Sequence, residues 1–130
     1  MPFIKNKTIQ SLSENDIFVF GSNLAGIHGV GAAQAARVYF GAQYGIGEGL
    51  TGKCYALPTK DEKLNVRSLK DIHNSILKLK AIANENQNKT FYLTRIGQGY
   101  AGYTEDQIKP LVISSDLPPN IIPWWIWESA

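Results

Sequence analysis

The sequence predicts an α/β fold, with helices packed on a central, largely parallel mixed sheet. Short apolar runs (Ile17–Phe20, Cys54–Leu57, Phe91–Leu93) alternate with helical patterns, giving the order strand, loop, helix, strand, helix, strand, loop, helix, strand. Two of these strands run at their carboxyl ends into glycine-rich loops, and that edge of an open α/β sheet is where ligands settle. At 130 residues the chain suits a single domain, residues 1–130, with a real core.

The first element of substance is Ile17 to Phe20, four apolar residues that read as a buried strand. Ahead of it, Phe3 and Ile4 followed by a polar stretch leave room for a weak edge strand. Glycines at 21, 26, 29 and 31 then interrupt regular structure. A helix follows over Gly31 to Phe40, with Ala32, Ala35, Ala36 and Tyr39 expected inward, and Gly41 ends it. The segment Gly41 to Gly52 holds five glycines and contains two decoys. Gly47, Gly49 and Gly52 satisfy G-x-G-x-x-G, and Gly47 to Cys54 nearly makes a P-loop. Both motifs must follow a strand and open a helix, whereas this segment precedes the strand Cys54 to Leu57. It reads instead as a connection or a loop flanking a ligand.

Pro58 is expected to stop that strand, leaving Thr59, Lys60 and Asp61 at its end. Residues 67–84 give the clearest helix: Leu69, Ile72, Ile76, Leu79 and Ala83 recur at helical steps behind the N-cap candidate Ser68. After a polar turn, Phe91 to Leu93 forms a strand that opens into TRIGQGYAGY, the second glycine loop. Thr104 caps the next helix, with Glu105 and Asp106 complementing its dipole until Pro110 disturbs it. Ile121 and Ile122 suggest a closing strand, and Trp124, Trp125 and Trp127 an aromatic tail, packed on the sheet edge or presented to a partner.

Charge narrows the possible partners. Thirteen basic against eleven acidic residues leave a net +2, too weak a field to argue for nucleic acid by itself. A single cysteine, Cys54, precludes an internal disulfide and a cysteine-based zinc site, and its apolar neighbours suggest a core thiol. His28 and His73 stand on different elements and the carboxylates do not cluster, so no metal and no cofactor is expected. With no apolar run of ~18 residues, a cytoplasmic protein without a membrane span is expected.

Glycine loops suit phosphate because main-chain N–H groups can approach it only where side chains are missing, and a helix amino end adds partial positive charge. Gly97 to Gly102 could wrap a diphosphate while Gly29 and Gly31 approach from the other side. The competing reading is that the glycines simply supply tight turns. The amide of Asn23 suits ribose hydroxyls or an Asx turn. His28, between glycines, reads as a surface residue, a phosphate donor or a general acid/base. Tyr100 and Tyr103 could stack on a ring or pack in the core, Asp16 could orient the first loop, and Arg95 could fix loop geometry or touch ligand.

With these residues in view, GSNLAGIHGVGAA and TRIGQGYAGY resemble the two ligand loops of the macrodomain family, the ADP-ribose-binding module. Val19 to Asn23 matches the strand ending in asparagine, Gly29 to Ala33 the glycine-to-alanine helix start, and Ile96 to Tyr103 the diphosphate loop. The resemblance covers about residues 16–112 in element order and is closest to small macrodomain-like proteins with a Pro-Thr-Lys-Asp turn, here Pro58 to Asp61. It implies a three-layer α/β/α sandwich. It implies ADP-ribose or a related nucleotide diphosphate sugar as ligand, held by Gly21, Ser22, Asn23, Gly29, Val30 and Gly31 and by Ile96, Gly97, Gln98, Gly99, Tyr100, Ala101, Gly102 and Tyr103.

Asn23 would contact the distal ribose, and Tyr103 would lie near that ribose or the adenine. Many members read the adenine amino group with an early acidic residue; Ile9 stands there in this chain. The family contains hydrolases and simple readers. For a hydrolase of ADP-ribosyl linkages or ADP-ribose-1''-phosphate, Asn23 and His28 are the catalytic candidates, holding a water for attack without a metal. An ADP-ribosylated protein is a further partner on this reading. From a different class comes a nucleic-acid binder using Tyr39, Tyr44 and Tyr100 as stacking platforms.

Overall fold

The computed structural model describes residues 3–5 and 8–129. Strands β1 (Phe3–Lys5) and β2 (Thr8–Ser11) pair antiparallel as a small separate sheet, where the sequence suggested a single weak edge strand. The main sheet is built from β3 (Asp16–Asn23), β4 (Gly49–Thr51), β5 (Cys54–Lys60), β6 (Thr90–Leu93) and β7 (Ile121–Ile122), in the spatial order β4-β5-β3-β6-β7. Strand β4 pairs antiparallel with β5 and the other pairings are parallel, so the sheet is mixed. Four helices complete the α/β fold among the described residues: α1 (Gly31–Tyr39), α2 (Leu69–Glu85), α3 (Glu105–Ser114) and α4 (Trp124–Trp127).

Side chains alternate across a strand, and that alternation decides which helix each residue meets. Phe18 and Cys54 are register partners on β3 and β5. The Phe18 ring lies 5.0 Å from that of Phe40, just past α1, and Cys54 Sγ points at the Ala36 and Phe40 carbonyls. This face therefore belongs to α1. Helix α2 packs on β5 and touches α3. Its Ile72, Ile76, Leu79 and Ala83 are fully buried, as their spacing predicts, each large one contributing roughly 1.5–3 kcal/mol by leaving water. Ser68 accepts from Asp71 N–H at 3.1 Å and is the N-cap expected.

Several expectations need correction. Helix α1 buries Ala33 and Ala36 rather than Ala32 and Tyr39; the Tyr39 side chain is 74% exposed. Pro58 does not stop β5, which continues to Lys60. Its position lies beyond Ala56, where β4 ends, on an outer edge that needs no ladder donor. Pro110 sits inside α3, which runs on to Ser114 while Ile108 and Val112 hold it on the core. The tryptophan tail is the short helix α4, packed on the sheet, with Trp124 and Trp127 buried and Trp127 Nε1 donating to the Leu93 carbonyl at 2.9 Å. Among the described residues, no helix is long and apolar enough to cross a membrane.

Candidate functional site

Strands β5, β3 and β6 run parallel, so their carboxyl ends share one edge of the sheet. The loop after β3 and the loop after β6 open there onto a single crevice of about 540 Å³. They approach each other across it: a Cβ added to Gly31 would stand 3.7 Å from Cε2 of Tyr100.

The first loop ends at α1, whose N-cap position is Val30. Valine has no side-chain acceptor and the first turn contains no acid, so the amides of Gly31, Ala32 and Ala33 keep the unsatisfied donors of a helix start. In the second loop, Gly102 N–H bonds the Gly99 carbonyl and Tyr103 N–H bonds the Gly97 carbonyl, at 3.0 and 2.8 Å. These bonds close the loop on itself. The amides of Gly99, Tyr100 and Ala101, at its tip, have no acceptor among the described residues. Gly29 and Gly99 are informative in a further way. Neither has a positive φ, and an added Cβ at either would meet nothing within 4 Å, so the protein's own packing does not require glycine there. Gly47 differs: a Cβ would run into the Asn23 and Leu24 carbonyls, so packing alone accounts for it.

Of the residues expected from sequence, Gly21, Ser22, Asn23, Gly29, Val30, Gly31, Ile96, Gly97, Gln98, Gly99, Tyr100 and Ala101 line the crevice. Ser22 uses its hydroxyl internally, donating to the Gly47 carbonyl. The Asn23 carboxamide clamps the loop four residues on, beyond the two-residue reach of an Asx turn: Nδ2 donates to the Ile27 carbonyl at 2.8 Å and Oδ1 accepts from Ile27 N–H at 3.0 Å. One N–H and one lone pair of that amide are left for anything in the crevice. Gln98 Nε2 is buried with no acceptor among the described residues.

His28, Gly102 and Tyr103 do not line the crevice. His28 is a core histidine, 2% exposed, with its ring edge-on to Phe20 at 5.1 Å and Nε2 bonded to the Gln43 carbonyl at 3.0 Å. That carbonyl acceptor fixes the proton on Nε2. The glycines beside His28 offer it no shelter; residues distant in sequence do. Tyr103 Oη donates to the Arg67 carbonyl at 2.7 Å and so secures the loop from behind. Tyr39 and Tyr44 are exposed but do not line the crevice.

Comparison with family models, curated proteins and solved structures yields no match to this chain.

Ile9, which the resemblance set at the adenine-reading position, lines the crevice from β2, and residues not anticipated from the sequence complete the walls: Thr8 from β2, Thr59 and Lys60 at the end of β5, and Trp127 and Glu128 at and after α4. Lys60 was recoverable, since it ends a strand at the ligand edge. Trp127 had no local signal. The lining residues with ionisable side chains are Lys60, Arg95, Glu128 and Tyr100. Lys60 forms no ion pair among the described residues. Arg95 pairs with Glu128 at 2.8 Å and with Glu105 at 3.4 Å. Its hydrogen bond to the Glu128 carboxylate is the chief cause that raises the already high guanidinium pKa. Glu105 accepts from Trp124 Nε1 at 2.7 Å, and this bond, ahead of Arg95 and Lys109, holds its carboxyl below the usual range. No group of His, Cys, Asp and Glu able to hold a metal occurs among the described residues.

Proposed function

We propose that this chain is a macrodomain-like binder of ADP-ribose or a closely related nucleotide diphosphate sugar. Its diphosphate would rest between the tip of the second loop and the start of α1. The observation that carries this reading is the meeting of two sets of amides without acceptors among the described residues, Gly31 to Ala33 and Gly99 to Ala101, at one crevice. Such amides favour an anion, and two sets on one crevice suit two linked phosphates. The glycines at 29 and 99, which no internal packing explains, support the same reading.

Binding without turnover is the version the site favours. The histidine considered as a base lies in the core, and the carboxylate lining the crevice, that of Glu128, is held by Arg95. Calorimetric titration with ADP-ribose, ADP and NAD tests the reading. ADP-ribose should bind well ahead of ADP; failure of all three to bind overturns it. Wild-type turnover of ADP-ribose-1''-phosphate or an ADP-ribosylated protein above that of an Asn23→Ala, His28→Ala double variant would overturn the restriction to binding.

A further inference from the structure

Arg95 leaves β6 at the start of the second glycine loop, lines the crevice, and belongs to no amide set. Its side chain is 47% exposed, yet it is already engaged. Nε lies 3.2 and 3.0 Å from the two Glu128 oxygens, Nη2 lies 2.8 Å from Oε2, and Nη1 lies 3.4 Å from Glu105 Oε1. The bonds from Nε and Nη2 form the fork that guanidinium offers to a carboxylate or a phosphate. Two carboxylates thus share one cation. Glu128 also brings a negative charge to the wall of a crevice whose amides favour an anion.

We propose that Arg95 is a ligand-anion contact held in reserve, and that an anionic group of the bound ligand takes over the guanidinium fork now occupied by the Glu128 carboxylate. This rests on the crevice binding an anionic nucleotide. The Arg95 side chain is 47% exposed and that of Glu128 11%, so the pair meets solvent on its guanidinium side, where a phosphate held in place by neighbouring amides can reach the fork and displace the carboxylate. Glu128 directly follows α4, whose Trp127 shares the crevice wall, so the exchange loosens one of the ties holding that helix. The carboxylate then acts as an internal competitor that lowers apparent affinity and excludes weak anions.

The experiment is calorimetric titration of ADP-ribose into wild type, Glu128→Gln, Arg95→Met and the double variant, with thermal melts confirming folding. Removing the competing charge should tighten binding by about tenfold, and losing the guanidinium should weaken it by about tenfold, in the range of charge-pair coupling. In the Arg95→Met background, Glu128→Gln should then change little. A folded Glu128→Gln protein with unchanged or weaker affinity overturns the inference and leaves the binding reading intact. Absence of binding to wild type overturns both. Should the variants fail to fold, a crystal structure of the wild-type complex decides: Arg95 within hydrogen-bonding distance of a ligand phosphate and parted from Glu128 supports the exchange, and an intact pair overturns it.

Discussion

Tyr103 Oη donates to the main-chain carbonyl of Arg67 at 2.7 Å, tying the far end of the second glycine loop to the segment that leads into α2. The same Arg67 donates through Nη1 to the Pro58 carbonyl at 2.7 Å and to Ser75 Oγ at 2.8 Å, joining β5 and α2. A loop with an unpaired tip is thus held at its base by a residue that touches three elements.

Tyr103→Phe should therefore act on stability. Loss of one part-buried hydrogen bond costs about 1 kcal/mol, or roughly 3–5 °C in melting temperature for a domain of this size. ADP-ribose affinity should fall only slightly. A large affinity loss at unchanged melting temperature, seen by calorimetry beside a thermal scan, would instead return Tyr103 to the ligand.

Gly29→Ala and Gly99→Ala should separate the needs of the ligand from those of the fold. The structure has room for either methyl, so melting temperature should hold within a degree or two. A methyl between the amides and a phosphate should weaken ADP-ribose by about tenfold, or ~1.4 kcal/mol. Retained affinity in both variants would show that neither glycine serves the ligand.

His28→Ala should unfold the protein more readily instead of disabling a reaction. The buried ring packs on Phe20 and bonds the Gln43 carbonyl, and losing both contacts costs roughly 2–4 kcal/mol. Chemical denaturation measures this. A variant as stable as wild type would contradict the placement of His28 in the core.

Cys54 should resist thiol reagents until the chain opens. Burial raises its thiol pKa from 9.0 to about 12. Below pH 9 both folded and unfolded chains keep the proton, so this contribution to stability is fully present there. Between pH 9 and about 12 only the unfolded chain releases it, and stability falls as pH rises through that window. Trapping at pH 8 should follow the unfolding rate, and Cys54→Ala should lose this part of the alkaline decline; rapid labelling of the native protein would contradict it.

Much of this architecture was legible because local chemistry and tertiary structure agree in it. The apolar runs at Ile17 and Phe91, the capped face from Ile72 to Ala83 and the glycines after two strands each carry their own signal. The failures fall where distant partners decide. Nothing near His28 shows that Phe20 and Gln43 enclose it, and nothing near Trp127 shows that its indole reaches Leu93. Pro58 continues a strand because β4 stops short, a fact about the neighbour. Asn23 fits both an Asx turn and a ribose contact, and the structure has instead a clamp on Ile27, four residues on.

The walls of the crevice come from nearly the whole span of the chain, from Thr8 and Ile9 to Trp127 and Glu128. No contiguous fragment can recreate it, and a folding intermediate with only the central strands in place would lack both flanks. On the proposed function, ligand capture would require both flanks to have docked, so a stopped-flow refolding experiment with ADP-ribose present would time the completion of the crevice.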